Sequence, residues 1–146
     1  MTPPSLARAW RTAEYRAGGV AFRVGRRDPA LDRLIAPARA AILIGAWNPM
    51  GRRMPAEWNR RAHRALEARL RRADWMLAEG GSARWREDHA LVLGPSVPVL
   101  RLARLFRQGA VVALARGRPP RLLILAPQGT YAASSTDTAG VKKYPP

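Results

Sequence analysis

The run AAILIGAW at residues 40–47 constrains the fold of this chain more than any other stretch. It is short, continuously apolar, and bounded by Pro37 on one side and by Asn48 and Pro49 on the other. A run of this kind is typical of a strand that is buried on both faces in the middle of a sheet. The sequence therefore predicts a central strand over 40–47.

Helix-like and strand-like patterns alternate along the rest of the chain. Apolar residues spaced by three and four predict helices over 5–17, 55–73 and 96–109. Further strands are predicted at 20–24, 75–81, 89–94, 110–115 and 121–126, with the last two joined as a hairpin. The segment 26–37 is rich in turn formers, and Gly18-Gly19 and Gly80-Gly81 also indicate turns. The order α-ββ-α-ββ-α-ββ favours an α+β fold, a mixed β-sheet with two or three packed helices.

Length and composition indicate how much of the chain folds. The chain has 146 residues, of which 47% are hydrophobic, and this is enough for one domain with a core. From residue 128 onward the sequence is small, polar and aperiodic, so it has little apolar surface to offset its ordering entropy. We expect a single α+β domain over 1–127 and a flexible C-terminal tail over 128–146.

The composition excludes several classes of protein and site. Without cysteine there is no disulfide framework, no thiol nucleophile and no thiolate zinc site. The first residues lack the apolar stretch of a secretory signal, and no run is long enough for a membrane span. We therefore expect a cytoplasmic protein without membrane association.

A formal net charge of +16 is the strongest compositional feature. All but two of the 26 basic residues are arginine, since lysine occurs only at Lys142 and Lys143. Such a positive potential concentrates anions near the surface, although a bias towards arginine can also reflect genomic base composition. The partners that the charge favours are anionic small molecules and nucleic acid.

One face of the predicted helix over 55–73 is distinctly basic. If that face binds nucleic acid, the residues that contact phosphates are Arg53, Arg60, Arg61, Arg64, Arg71 and Arg72. No sequence signature of a known nucleic-acid-binding fold accompanies these arginines, so charge alone favours this interpretation.

Four short motifs in a fixed order give the chain a family resemblance. They are AWNP at 46–49, the helix that carries Asn59, WRED at 85–88 and FRQGA at 106–110. In this order they resemble a bacterial family called domain of unknown function 3293, over about residues 15–126. Gly45 stands where that family's pattern has threonine, and Arg107 stands where it has glycine. The resemblance implies that Asn48, Asn59, Trp85, Glu87 and Gln108 form either a shared site or a shared scaffold.

The residues themselves support a ligand site at the end of the central strand, and each also has a structural alternative. Pro49 is expected to hold Asn48 in extended geometry, from which its amide can reach across the strand end or shape the local turn. Arg52 would lie beside an anion bound there, or be solvated. Asn59 lies at the border of the apolar helix face.

Trp85 and Glu87 would share one face if their segment is extended. In one interpretation Trp85 stacks on a nucleotide base while the Glu87 carboxylate binds the edge of that ring or acts as a general base. In the other, Trp85 belongs to the core and Glu87 pairs with an arginine. The candidate ligand-binding residues are Asn48, Arg52, Asn59, Trp85, Glu87 and Gln108.

No motif indicates a metal or a cofactor. His63 and His89 are far apart and lack metal-ligand spacing, so we expect a helix-surface and a strand-start histidine. The phosphate-binding and hydrolase signatures with glycine-rich loops are absent. No catalytic residue, metal site or cofactor is therefore predicted.

Overall fold

The computed structural model describes residues 4–82 and 84–125, so the predicted tail over 128–146 lies outside the described residues. The helices are α1 (Pro4–Thr12), α2 (Pro29–Ile35), α3 (Ala56–Arg69) and α4 (Ser96–Leu105), with a 3-10 turn at Pro49–Gly51. The strands are β1 (Glu14–Ala17), β2 (Val20–Phe22), β3 (Ala40–Gly45), β4 (Asp74–Ser82), β5 (Trp85–Leu93), β6 (Ala110–Ala115) and β7 (Arg121–Ile124).

These strands form one antiparallel sheet in the order β2-β1-β4-β5-β3-β6-β7. The predicted central strand is confirmed as β3, which lies between β5 and β6 and is buried along almost its whole length. Ile42 and Ile44 point to one face of the sheet, and Leu43 points to the other. The continuous apolar run is therefore explained by cover on both faces.

Helices and core clusters lie on both sides of the sheet. Leu43 and Leu91 belong to one cluster with Leu31 and Ile35 of α2. The opposite cluster contains Leu66 of α3, together with residues of α4 and the other faces of the same strands. Trp85, Glu87 and His89 alternate along β5 on the face of Leu91, so they share the side of the sheet that carries α2.

The α+β fold is confirmed, with four helices and a sheet that is antiparallel throughout the described strands rather than mixed. The predicted helix over 5–17 is wrong beyond Thr12, because Tyr15 and Ala17 pair with β4 and turn into the core. This tertiary pairing overrides the local helical spacing.

Two segments predicted as turns have regular structure. The segment 26–37 contains α2, in which the Asp28 side chain accepts a hydrogen bond from the Ala30 amide and Pro29 begins the helix. An aspartate cap followed by proline is typical of a helix start as well as of a turn. Gly80 and Gly81 lie inside β4, and a Cβ atom on Gly80 would overlap the Tyr15 ring. The glycines there allow close packing and do not form a turn.

None of the helices in the described ranges is both long and apolar enough to cross a membrane.

Candidate functional site

Asn48 joins the end of β3 to β5 and α3. Its Nδ2 donates to Glu87 Oε2 at 2.6 Å, and its Oδ1 accepts from the Met54 amide at 2.9 Å. Asn59 completes a reciprocal pair, because its Oδ1 accepts from the Asn48 amide at 3.0 Å and its Nδ2 donates to Asn48 Oδ1 at 3.1 Å. The side-chain amide of Asn48 thus shapes the turn through its bond to Met54 and holds the Glu87 carboxyl group in place.

The backbone of Asn48 is left-handed, with φ 47° and ψ 65°, so the expected extended geometry is wrong. Asparagine tolerates this region better than other residues with a Cβ atom, because its short amide can bond to nearby backbone. Here the local bond to the Met54 amide supplies that compensation.

Glu87 is a buried carboxyl group without a cationic partner. The residue is 9% exposed, and no arginine in the described ranges lies within ion-pair distance of its carboxyl group. Desolvation raises the pKa of the Glu87 carboxyl to about 7, while the hydrogen bond from Asn48 acts in the opposite direction. The group therefore changes charge near neutral pH.

A cavity of about 370 Å³ opens over this carboxyl, between α1 and the sheet. This volume lies within the range of roughly 300–1,000 Å³ that is usual for small-ligand sites. Four aromatic residues line the cavity: Trp10, Tyr15, Trp47 and Trp85. The Tyr15 hydroxyl donates to the Trp10 carbonyl at 2.8 Å, which ties the cover helix α1 to β1.

Gln108 and His89 each present an acceptor to this cavity. Gln108 Nε2 donates to the carbonyls of Trp47 and Phe106 at 3.1 and 3.2 Å, so its Oε1 is left for other contacts. His89 Nδ1 lies 3.0 Å from the Glu87 carbonyl, which can only accept, so Nδ1 carries the hydrogen and Nε2 keeps a lone pair. Desolvation lowers the pKa of His89 to about 4, so its ring is neutral at pH 7.

The absence of a side chain at Gly45 lets His89 and Gln108 approach the backbone of β3 closely. A Cβ atom on Gly45 would lie 3.1 Å from His89 Nε2 and 3.2 Å from Gln108 Oε1, which is closer than ordinary van der Waals contact. Glycine at this point of β3 therefore brings both acceptor atoms to the same point of the strand.

The arginines are distributed between the cavity and a second groove. Arg53 and Arg84 are exposed and line the cavity, so they lie at its rim. Arg52 instead lines a groove of about 440 Å³ on the other side of the 49–54 segment, with Trp58 and Phe106. Arg61 and Arg107 also border that groove.

Four of the six candidate ligand-binding residues line the cavity over Glu87: Asn48, Trp85, Glu87 and Gln108. Asn59 is buried behind Asn48 and positions it, and Arg52 faces the other groove. The expectation for Glu87 paired with arginine is wrong, since its bonded partner is Asn48.

Sequence reasoning missed several residues that line the cavity, and His89 is the most informative of them. It lies in the middle of β5 and not at a strand start, because the strand already begins at Trp85. The alternation Trp85, Glu87, His89 would have placed it on the cavity face. His63 is also buried rather than on the helix surface, with its Nε2 3.5 Å from Glu67. Tyr15, Trp10 and Arg84 gave no local signal.

Metal ligation has no support in the described part of the chain, where His, Asp and Glu do not form a group of three that could hold an ion.

Comparison with known proteins gives a match to a sequence family, which covers part of the chain. No curated protein and no solved structure matches this chain significantly. The residues that line the cavity from the strand end, from β5 and from the end of α4 all fall within the matched stretch. Residues 44–111 match the sequence model of the family described as "Protein of unknown function (DUF3293)", and the chain resembles that family over this stretch.

Proposed function

We propose that the cavity over Glu87 binds a small anionic or nucleotide-like ligand, with a planar ring inside and its anionic group at the rim. The observation that carries this proposal is a buried carboxyl group that opens into an aromatic cavity. Buried groups with strongly shifted pKa values in clefts are frequent at functional sites.

The isolation of Glu87 from arginine supports a role beyond stability. The chain has 24 arginines, so an ion pair for a purely structural carboxylate would be easy to form. Glu87 is bonded to an amide instead, and its Oε1 accepts no hydrogen bond from the described residues. A charge that is buried without a cation lowers stability, and this cost is typical of groups retained for binding or chemistry.

The distribution of charge supports a ligand with two different ends. Acceptors from Glu87, His89 and Gln108 lie in the interior, whereas Arg53 and Arg84 lie at the exposed rim. Aromatic walls such as Trp10 and Trp85 can stack on a planar ring. A nucleotide combines these features, because its base can enter the cavity while its phosphate meets the arginines.

Calorimetric titration of the full chain with nucleoside monophosphates and the corresponding nucleosides tests the proposal. We expect saturable binding of at least one monophosphate, weakened at least about tenfold in the Arg53→Ala, Arg84→Ala double variant, because the loss of even one charge-assisted contact costs about 1.5–3 kcal/mol. Arg52→Ala is the matched control, since Arg52 is an exposed arginine of the same segment that faces the other groove.

Two results would contradict this function. Monophosphates that do not bind at all would exclude a nucleotide-like ligand. Equal losses in the Arg52→Ala control and in the double variant would mean that only the general positive potential attracts the anion.

A second candidate is nucleic-acid binding through exposed arginines of α3 and of the segments that flank it. We call this set the arginine surface: Arg53, Arg60, Arg61, Arg64, Arg71 and Arg72. Glu57 pairs with Arg60 at 2.6 Å and lies 3.7 Å from Arg64. Arg53, Arg61, Arg71 and Arg72 are exposed, and no ion pair in the described ranges engages them. These four arginines are therefore available for phosphates.

A salt series with labelled RNA and DNA distinguishes this candidate from the cavity function. If the arginine surface contacts Z phosphates of a duplex, log affinity falls with log salt at a slope of about −0.9Z. Arg61→Ala, Arg71→Ala, Arg72→Ala should make the slope shallower, while Asn48→Ala should not change it. Binding that is absent, or insensitive to salt, would exclude the nucleic-acid function.

A further inference from the structure

We propose that the edge of the ligand that enters the cavity carries adjacent N–H donors, as the Watson–Crick edge of guanine does. The inference rests on the proposed function and specifies the ligand class for the same cavity. Its basis is the balance of hydrogen-bond donors and acceptors that face the interior.

Three side-chain acceptors face the interior of the cavity. Both hydrogens of Gln108 Nε2 have carbonyl acceptors, which fixes the amide orientation and leaves Oε1 as an acceptor. The bond from His89 Nδ1 to the Glu87 carbonyl likewise leaves the Nε2 lone pair. Glu87 Oε2 accepts from Asn48, and Oε1 belongs to a residue that lines the cavity.

The side-chain hydrogens of Asn48 and Tyr15 beside these acceptors already have partners within the protein. Asn48 Nδ2 donates to Glu87, and the Tyr15 hydroxyl donates to the Trp10 carbonyl. The Trp47 indole N–H has no hydrogen-bond partner among the described residues, but it is enclosed by protein atoms and is not exposed to the open cavity. The interior is consequently rich in acceptors that a ligand must satisfy with its own donors.

This balance discriminates among planar ring systems. Guanine presents a ring N–H beside an exocyclic amine, a pair that a carboxylate accepts side by side, and a further amine hydrogen remains for a second acceptor. Adenine and cytosine place a ring lone pair beside the amine, and this lone pair would face the Glu87 oxygens. Hypoxanthine has the ring N–H but lacks the amine. Mismatched polar groups that are desolvated without partners weaken binding strongly.

The space beside Gly45 is where two of the acceptors meet. A Cβ atom there would lie 3.1 Å from His89 Nε2 and 3.2 Å from Gln108 Oε1, so both side chains would have to shift to accommodate it. Gly45→Ala therefore displaces both acceptors without changing any charge.

Isothermal titration of the full chain with GMP, IMP, AMP and benzamidine tests the inference. Benzamidine carries amidinium donors on an aromatic ring and has no phosphate. We expect GMP to bind at least about tenfold more tightly than IMP or AMP, the effect of losing one hydrogen bond to a charged group. Glu87→Gln should lower the affinity for GMP and benzamidine by at least about tenfold and narrow the difference between GMP and AMP.

Two further variants make the result specific. Glu79→Gln removes one negative charge from the neighbouring strand β4, outside the cavity, and should leave all four affinities unchanged. Gly45→Ala should weaken GMP and benzamidine while the chain remains folded, as judged by circular dichroism.

Each outcome separates the inference from the proposed function. Benzamidine binding that Glu87→Gln abolishes, without binding of any nucleotide, would support the donor edge and contradict a nucleotide-like ligand. Nucleotide binding in which AMP equals or exceeds GMP would overturn the donor edge and leave the proposed function intact. Failure of all four compounds to bind would overturn both.

Discussion

Replacing Glu87 with glutamine should stabilise the protein at and above neutral pH, and the pH dependence should identify the cause. Glutamine has nearly the same shape and can still accept the hydrogen bond from Asn48, but it carries no charge. Burial raises the pKa of the Glu87 carboxyl from about 4.5 to about 7. At about 1.4 kcal/mol for each pH unit, the buried charge lowers the free energy of unfolding by about 3 kcal/mol above pH 7.

The shifted pKa values of Glu87 and His89 make the free energy of unfolding depend on pH in opposite directions. Between pH 4.5 and 7 the folded wild type binds a proton at Glu87 that the unfolded chain has released, so this contribution to stability is lost as pH rises. His89 acts in the opposite direction, because desolvation lowers its pKa from 6.5 to about 4. Its contribution is complete above pH 6.5 and is lost as pH falls towards 4. The two slopes oppose each other between pH 4.5 and 6.5.

Glu87→Gln should therefore remove the falling slope and leave the rising slope of His89. The free energy of unfolding, measured by urea denaturation from pH 4.5 to 8, should be similar in wild type and variant at pH 4.5 and should differ by about 3 kcal/mol at pH 8. Glu79→Gln controls for the loss of one negative charge. A difference between Glu87→Gln and wild type that stays constant across this pH range would refute the desolvation argument.

Three further results follow from the same contacts. Asn48→Ala should destabilise the chain in urea more than Asn48→Gly by about 1 kcal/mol, because both lose the amide but only alanine is strained at φ 47°; equal losses would contradict a left-handed Asn48. Gly109→Ala should lower the melting temperature and change the near-ultraviolet circular dichroism, because a Cβ atom there overlaps the Trp10 ring; an unchanged spectrum would mean that α1 does not pack there. GMP affinity should rise by at most tenfold for each pH unit as pH increases towards 7, and should then level off once the Glu87 carboxyl is fully ionised. The other ionisable residues on the cavity are Tyr15, His89, Arg53 and Arg84. Titrations at pH 5.5 to 8 that show no change in affinity would exclude the ionised carboxylate as the acceptor.

Local sequence determined most of the elements. The apolar run at 40–47 could form only a buried strand, since it is too short for a core helix and is stopped by proline at both ends. The amphipathic spacing of α3 and the hairpin of β6 and β7 were equally evident. These features depend on the side chains of one short segment, so the chain specifies them without distant partners.

Pairing between distant segments decided the elements that sequence reasoning misjudged. Tyr15 and Ala17 have helical spacing with the residues before them, but β4 binds their backbone and the core takes their side chains. Gly80 and Gly81 resemble a turn, yet they lie within β4, where the Tyr15 ring occupies the space of a side chain at Gly80 and the backbone of β5 occupies it at Gly81. Neither β4 nor Tyr15 can be identified as the partner from local pattern.

In the candidate site the sequence identified the polar residues, whereas the tertiary structure determined their surroundings. The motifs at 46–49, 85–88 and 106–110 identified the polar residues, and strand alternation placed Trp85 and Glu87 on one face. Only the tertiary structure showed that Glu87 is buried beside Asn48 and forms no ion pair with an arginine of the described ranges. A pKa depends on desolvation and on neighbouring charges that come from several segments, so the sequence supplied the carboxyl group, and the fold determined its proton affinity.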